Sequence, residues 1–361
     1  MKAVVVDALN EFSVQEVQLD SPKAGEVRVK MVATGVCRSD WSVISGTIPM
    51  PLPAVIGHEG AGIITELGEG VDKFALGDHV VLSFIPECGD CFYCKNDQAY
   101  LCASKNNAAG GMLDGTTRVH RGDEDVMVMT QLGCMAEECI APAISCVKIN
   151  DDVPLSSAAL IGCGVMTGVG AALNAAKVKP GSTAVVFGCG GIGLSTIQGA
   201  CIAGAKNVVA VDTLPGKLDM AKTFGATHGC LLEDANEFIL ELTEGRGADY
   251  CFEAVGNTAL MQLAEASTRP GGVCTVIGVG KMDEQFVLSP FMLPLTGKRI
   301  QGTMYGNCNP SKDFPKLLDY YKKGELDLDG MITKTYSIDQ ASEAFADLTS
   351  GANARGVIIY D

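Results

Sequence analysis

From residue 1 to about residue 165 the apolar positions come in short runs, at 27–32, 60–66 and 79–84 among others. Turn clusters such as "SPKAGE" and "LGEGVDKFALGD" bound them. That spacing predicts many short strands. From about 166 to 304 the pattern changes: apolar runs at 183–187 and 207–212 alternate with Ala-rich helical patterns at 192–204 and 217–224. Strand and helix in alternation predict a parallel sheet wound by helices, an α/β architecture. The tail, 305–361, carries helix-like patterns at 314–323 and 338–348 and a last strand at 356–360. It is expected to return to the first domain, which makes that domain discontinuous.

One uncharged run, 153–176, is long enough to raise a membrane span. It holds Pro154, several glycines and Ser/Thr/Asn residues, which suit a buried helix and loop better. The first apolar run of the chain is four residues long and ends at Asp7, far short of a signal-peptide core, so a cytoplasmic protein is expected. With 47% hydrophobic residues in 361, two cores can be filled. The balance of 27 basic to 43 acidic residues, a net charge of −16, repels phosphate backbones and anionic membranes. No nucleic-acid or membrane partner is expected.

Cysteine changes the picture next. Of the 15 cysteines, four lie in "CGDCFYCKNDQAYLC": Cys88, Cys91, Cys94 and Cys102. Short two-residue gaps let successive thiolates converge on one ion, and four thiolates close the tetrahedral shell of a structural Zn²⁺. Iron–sulfur clusters also take four thiolates, but their usual spacings differ from the seven-residue closing step here. A closed shell leaves no place for a substrate, so this lobe, about 86–104, is structural.

"STAVVFGCGGIGLSTIQGACIAGAKNVVAVD" runs from an apolar strand through Gly188, Gly190, Gly191, Ile192 and Gly193 into a helix and a second strand ending at Asp212. Gly188 allows the tight turn, Gly190 lets a pyrophosphate approach the helix N-terminus, and Gly193 lets helix and strand pack closely. Asp212 stands where an acid accepts hydrogen bonds from the adenosine ribose and repels a 2′-phosphate. NAD is therefore expected as cofactor. Lys217 either helps hold the same ribose or is a solvated surface lysine.

Cys37, His58 and Cys163 are too far apart for spacing to join them. The words "GVCRSD", "GHEGAG", "LGDHVV", the four-cysteine lobe, "GCG" followed by Thr167, "GCGGIG" with Asp212, and the late Arg355 occur in one order. In these the chain resembles the zinc-dependent medium-chain dehydrogenase/reductase family, the alcohol dehydrogenases, over essentially its whole length. The resemblance implies a Rossmann domain at 166–304 and a discontinuous, mostly-β, GroES-like catalytic domain at 1–165 and 305–361. It also implies that Cys37, His58 and Cys163 bind a catalytic zinc, giving two Zn²⁺ per chain. Three protein ligands leave a fourth position open, and there the ion acidifies an alcohol or, in reverse, polarises a carbonyl.

The same resemblance places Glu59 near the zinc and Asp40 behind the histidine ligand. It makes Arg38 and Arg355 pyrophosphate partners, and sets Thr167, Ile192 and Val279 along the cofactor. Ser39 matches the residue that hydrogen-bonds the reacting alcohol and passes its proton on. Many relatives carry a relay histidine three positions later; here that position is Ser42, so the proton must leave by another route. Ile48, Phe84, Val279 and Met304 match positions lining the alcohol channel, and Trp41 is near enough in sequence to join them. An apolar lining suits a hydrophobic primary alcohol, aromatic ones included, or its aldehyde.

The segment from Ala108 to Pro142 resembles the insert of the larger dimeric alcohol dehydrogenases and of thiol-linked formaldehyde dehydrogenases. A homodimer is expected, with a tetramer the alternative. The expected function is NAD- and zinc-dependent oxidation of a hydrophobic primary alcohol. The rivals are a thiol-dependent formaldehyde dehydrogenase, an enzyme that keeps its nicotinamide bound and uses an external acceptor, a biosynthetic carbonyl or iminium reductase, and a non-catalytic nucleotide-binding relative.

Overall fold

The computed structural model describes residues 1–104, 110–351 and 353–361. It divides into two compact units. One holds Met1–Gly164, Asn309–Gly324 and Leu328–Asp361; the other holds Val165–Cys308 and Glu325–Asp327.

In the second unit the apolar run Thr183–Phe187 is a strand with all five residues buried, as a strand covered on both faces must be. Around it lies a six-stranded parallel sheet. The spatial order is His228–Leu231, Asn207–Asp212, Thr183–Phe187, Ala248–Glu253, Thr268–Val276 and Arg299–Gly302. Counted along the chain this is the 3-2-1-4-5-6 order of a doubly wound sheet. Its direction of growth reverses beside Thr183–Phe187, and ligands of such sheets bind outside the carboxyl ends at that point.

The first unit is built on two mostly antiparallel sheets. Glu26–Val36 is the central strand of one: Gly60–Leu67 and Arg355–Ile359 flank it, and Glu138–Pro142 also pairs with it. The tail thus completes a sheet begun by residue 26. Lys2–Ala8 organises the other sheet, pairing with Glu11–Glu16 and Ala54–Val55. Val29, Met31, Ile56, Leu82, Met129 and Phe345 belong to one buried cluster in this unit. Burying such side chains is worth roughly 1.5–3 kcal/mol each.

One stretch differs from the sequence expectation. The helix expected at 314–323 starts earlier, as Pro310–Lys322, because Pro310 occupies its first turn, where a fixed φ and a missing N–H cost nothing. The uncharged run at 153–176 is not one helix. It breaks into Leu155–Ala159, a 3-10 turn, Gly164–Gly170 and a π-helical turn Ala171–Ala176, with Cys163 at the break. Among the described residues no single helix is long and apolar enough to cross a membrane.

Candidate active site

Cys37 follows the last residue of Glu26–Val36 and is the N-cap of the short helix Arg38–Ile44. His58 follows the strand Ala54–Val55 through Gly57. Gly57 has φ +101, and a Cβ there would stand 2.2 Å from the Met135 nitrogen, so only glycine delivers the histidine this way. Cys163 comes from the helix break. The three side chains meet: Cys37 Sγ lies 4.0 Å from Cys163 Sγ, and His58 Nε2 lies 3.2 Å from Cys163 Sγ. All three residues are buried, and one Glu59 oxygen belongs to the same cluster of donor atoms.

These separations fit one tetrahedral ion. Two sulfurs each about 2.3 Å from such an ion stand about 3.8 Å apart. Asp40 fixes the histidine: its Oδ1 accepts the Nδ1 proton of His58 at 3.0 Å and the Gly57 N–H at 3.0 Å, and its Oδ2 accepts the Cys37 N–H at 3.1 Å. With Nδ1 carrying the proton, the Nε2 lone pair is left for a metal.

The electrostatics call for a cation. The Cys163 contact, and then the His58 charge, hold the Cys37 thiol well below its ordinary value, while the same contact and burial push Cys163 well up. Burial opposes charge on His58, but Asp40 and Cys37 outweigh it and raise the imidazole. Burial raises the Glu59 carboxyl to about 7 against the pull of Arg355. Two thiols that cannot both ionise alone can do so around one soft divalent ion, and a Cys₂His set suits Zn²⁺.

Arg355 is 5% exposed and donates from Nη2 to Glu59 Oε1 at 2.5 Å. The structure shows it as a buried ion-pair partner. Arg38, by contrast, is exposed, and Ser39 is half-buried on the first turn of the same helix. Ser42 donates its hydroxyl to the Arg38 carbonyl at 3.0 Å, a bond back along the helix. Phe84 meets His58 edge-on, with ring centroids 5.6 Å apart. Ile48 is 38% exposed.

Trp41, half-buried on the helix Arg38–Ile44, tilts its indole against Phe345, 6.2 Å between centroids, and packs on the same buried cluster of the first unit as Phe84 does.

The four-cysteine lobe is assembled as well. Cys88 Sγ lies 3.9 Å from Cys94 Sγ, and Cys91 Sγ lies 4.0 Å from Cys102 Sγ. The Cys91 N–H donates to Cys88 Sγ and the Cys94 N–H to Cys91 Sγ. The backbone N–H of Ala103, then that of Cys94, lowers the Cys91 thiol to about 6, whereas burial raises Cys94 and Cys102. Among the described residues no further His, Cys, Asp or Glu joins these four donors, a set that fits a closed Zn²⁺ site.

In the second unit Gly188 sits at φ +94, and a Cβ on Gly193 would stand 1.8 Å from the Gly188 oxygen. At Gly190 an added Cβ would meet no protein atom within 4 Å, so space is kept open at the start of the helix Gly191–Ile202. Ile192 is half-buried on that helix, and Thr167 is buried. A cavity of about 200 Å³ is lined by Phe187, Gly188, Asp212, Lys217, Leu232 and Val255. Open space at a helix N-terminus beside an acid-lined apolar cavity fits a dinucleotide's pyrophosphate and adenosine.

Leu232 and Val255 were not singled out by sequence reasoning. The signal for Val255 was the "FEAVG" word that ends the strand Ala248–Glu253. There buried Glu253 Oε1 accepts the N–H groups of Val255, Gly256 and Asn257 and shapes the loop. Val279 is 87% exposed and Met304 40% exposed in this unit. Residues 108–109, which open the insert, lie outside the described residues.

Comparison with known proteins agrees with the geometry. Residues 23–151 match the alcohol dehydrogenase GroES-like domain, and residues 191–323 match the zinc-binding dehydrogenase family. The chain is 41% identical to alcohol dehydrogenase B of Mycobacterium tuberculosis, over 99% of this chain and 97% of that protein. It is 40% identical to the NDMA-dependent alcohol dehydrogenase of Amycolatopsis methanolica, over 99% and 98%. Among solved structures, benzyl alcohol dehydrogenase from Acinetobacter calcoaceticus superposes with a TM-score of 0.94 at 31% identity, covering 100% of this chain and 99% of that one.

Proposed function

The chain belongs to the zinc-dependent medium-chain alcohol dehydrogenase family, and from that premise we propose that it uses NAD to oxidise a hydrophobic primary alcohol, aromatic ones included, to the aldehyde. The observation that carries the reading is the convergence of Cys37, His58 and Cys163, with Asp40 holding the imidazole from behind. Zinc at these donors supplies a Lewis acid, and NAD supplies the hydride acceptor.

The chain's own residues set the rest. Asp40 keeps His58 in the tautomer that presents Nε2. Ser39 is the proposed first acceptor of the alcohol proton. Ser42 does not titrate near neutrality and bonds back to Arg38, so proton exit proceeds without a protein imidazole at that step. Arg38 and Arg355 are the proposed pyrophosphate partners, with Thr167, Ile192 and Val279 along the cofactor. Asp212 and Lys217 are the proposed ribose partners, and the open space over Gly190 supports the pyrophosphate's place. Trp41, Ile48, Phe84 and Met304 are the proposed lining for the alcohol. The likeness to the benzyl alcohol dehydrogenase of A. calcoaceticus supports an aromatic substrate. Four thiolates at Cys88, Cys91, Cys94 and Cys102 would hold a second, structural zinc.

A homodimer is proposed through the second unit. Met282, Phe291 and Leu295 there are 93%, 72% and 68% exposed, close in sequence to the edge strand Arg299–Gly302. A single-chain mass in solution at micromolar concentration would count against it.

A second reading has the nicotinamide stay bound and be reoxidised by an external acceptor. The NDMA dependence of the A. methanolica relative favours it. One experiment separates the two. Zinc is counted per chain, and benzyl alcohol oxidation is then followed with excess NAD, with excess NADP, and with NDMA and no added nucleotide. Two zincs and NAD-driven turnover are expected. Turnover only with NDMA would select the second reading, and no alcohol oxidation under any condition would remove both.

A further inference from the structure

Gln131 is a polar side chain that the zinc and nucleotide sites leave unexplained. It is 1% exposed, and both of its amide atoms, Oε1 and Nε2, are buried without a hydrogen-bond partner among the described residues. Native proteins pair nearly all such groups, because an amide taken from water without replacement bonds is destabilising. The backbone adds to the oddity. Thr130 and Gln131 have φ of 52 and 60, two successive non-glycine residues in the left-handed region. Such strain persists only where the surroundings impose it, and it gathers at ligand sites.

What imposes it is clear from the neighbours. The N–H groups of Leu132 and Gly133 both donate to the Met129 carbonyl at 3.0 Å, closing a tight turn around Gln131. Met129 and Leu132, on either side, belong to the buried apolar cluster against which Phe84 packs. The segment then bonds to the chain entering His58: Met135 N–H to Ile56 O at 2.9 Å, and Cys134 N–H to Gly57 O at 3.0 Å. Phe84 in turn touches the His58 ring. The unpaired amide is therefore mounted on a turn whose following residues are hydrogen-bonded to the chain leading into His58, beside the apolar cluster on which Phe84 also packs.

We propose that Gln131 is a specificity-determining residue of the alcohol site, its amide receiving a second oxygen function on the substrate. A hydroxyl suits it best, since it can accept from Nε2–H and donate to Oε1 at once. The substrate class is then a primary alcohol with an apolar body and a further hydroxyl away from the reacting carbon. This rests on the alcohol dehydrogenase reading and narrows it. An apolar substrate would leave the amide unpaired, and sites built to bond a substrate hydroxyl reject analogues lacking it by large factors.

The test uses the full-length holoenzyme, wild type and Gln131→Met, with benzyl alcohol, 4-methylbenzyl alcohol and the 3- and 4-hydroxybenzyl alcohols. In the wild type, kcat/KM for one hydroxylated alcohol should exceed that for 4-methylbenzyl alcohol by on the order of 10²-fold or more. In Gln131→Met the preference should collapse or invert. The substrate-free variant should melt ~2–4 °C higher, because an unpaired buried amide has been replaced by an apolar group of similar shape. A ratio unchanged by the substitution overturns the proposal. So does a lower melting temperature with all four alcohols slowed equally, which would mark a structural amide or one that holds only a water. Should Gln131→Met not fold, Gln131→Asn keeps the amide but withdraws it by one methylene, and the same ratio decides. A wild type that oxidises benzyl alcohol while the ratio stays fixed removes only Gln131; a wild type that oxidises none of the four removes the alcohol reading too.

Discussion

Asp212 reaches back into the glycine turn: its Oδ2 accepts the Cys189 N–H at 2.8 Å, while its Oδ1 accepts the Leu214 N–H at 3.1 Å. The carboxylate is tethered from both sides and cannot swing away from the nucleotide cavity that it lines. On the proposed cofactor reading, its charge is then held where a 2′-phosphate would have to sit.

Asp212→Asn keeps the size and one of the two backbone tethers but removes the charge. The ratio of kcat/KM for NADP to that for NAD should rise at least roughly tenfold, about 1.4 kcal/mol. Steady-state kinetics with both nucleotides checks this. A wild type that already prefers NADP would contradict the role given to Asp212.

Asp40 accepts three hydrogen bonds from the segments that carry Cys37 and His58. Asp40→Ala should therefore weaken metal binding about 10–100-fold, as loss of partners behind metal-bound histidines does. Competition with a chelator, followed by zinc counting, measures it. The loss should be confined to one zinc per chain, since the four-cysteine lobe shares none of these bonds. Release of both metals together would mean that Asp40 supports the fold of the unit and not one site.

How far the sequence foretold this arrangement depended on the range of the interactions. The strands Thr183–Phe187 and Asn207–Asp212 were legible because a fully buried strand writes itself as a local apolar run. The four-cysteine lobe was legible because its donors lie within 15 residues of one another. Cys37 and Cys163, 126 residues apart, carry no local sign of meeting; only resemblance joined them, and the fold of the first unit brings them to 4.0 Å. Gln131 left a faint trace, one amide inside the apolar run "VMVMTQLGCMA", whose meaning lies in partners that it lacks.

Among the described residues Arg118 is the largest fully buried side chain, at 1% exposed. It donates from Nε and Nη2 to the two oxygens of Glu26 at 2.9 and 2.6 Å, and from Nη2 to Asp114 at 2.9 Å. Arg118→Met should destabilise the protein by about 3–5 kcal/mol, because the buried Glu26 loses its charge partner and keeps only the Lys23 N–H. Adding Glu26→Gln should return part of that loss, which denaturant unfolding of both variants would show. Equal stability of the single and double variants would mean that lost packing, not an orphaned charge, carries the effect.

His120 joins strands through two carboxylates: its Nε2 lies 2.9 Å from Asp20 and its Nδ1 3.0 Å from Asp125. The hydrogen bond to Asp20, opposed by burial and aided by Asp125, raises its pKa above the ordinary histidine value. A group whose pKa is raised on folding binds its proton more tightly in the folded state. Its stabilisation is therefore fully present below the unfolded value of about 6.5 and is lost as pH rises through the raised folded value. His120→Gln keeps a polar side chain but cannot take up the proton. The stability gap between wild type and variant should be widest at pH 5–6 and should close by about pH 9. Because the two carboxylates are 52% and 66% exposed, solvent screening keeps the gap under about 1 kcal/mol. Urea titrations at three pH values measure it, and a gap of the same size at every pH would show that the imidazole acts through packing and not through its charge.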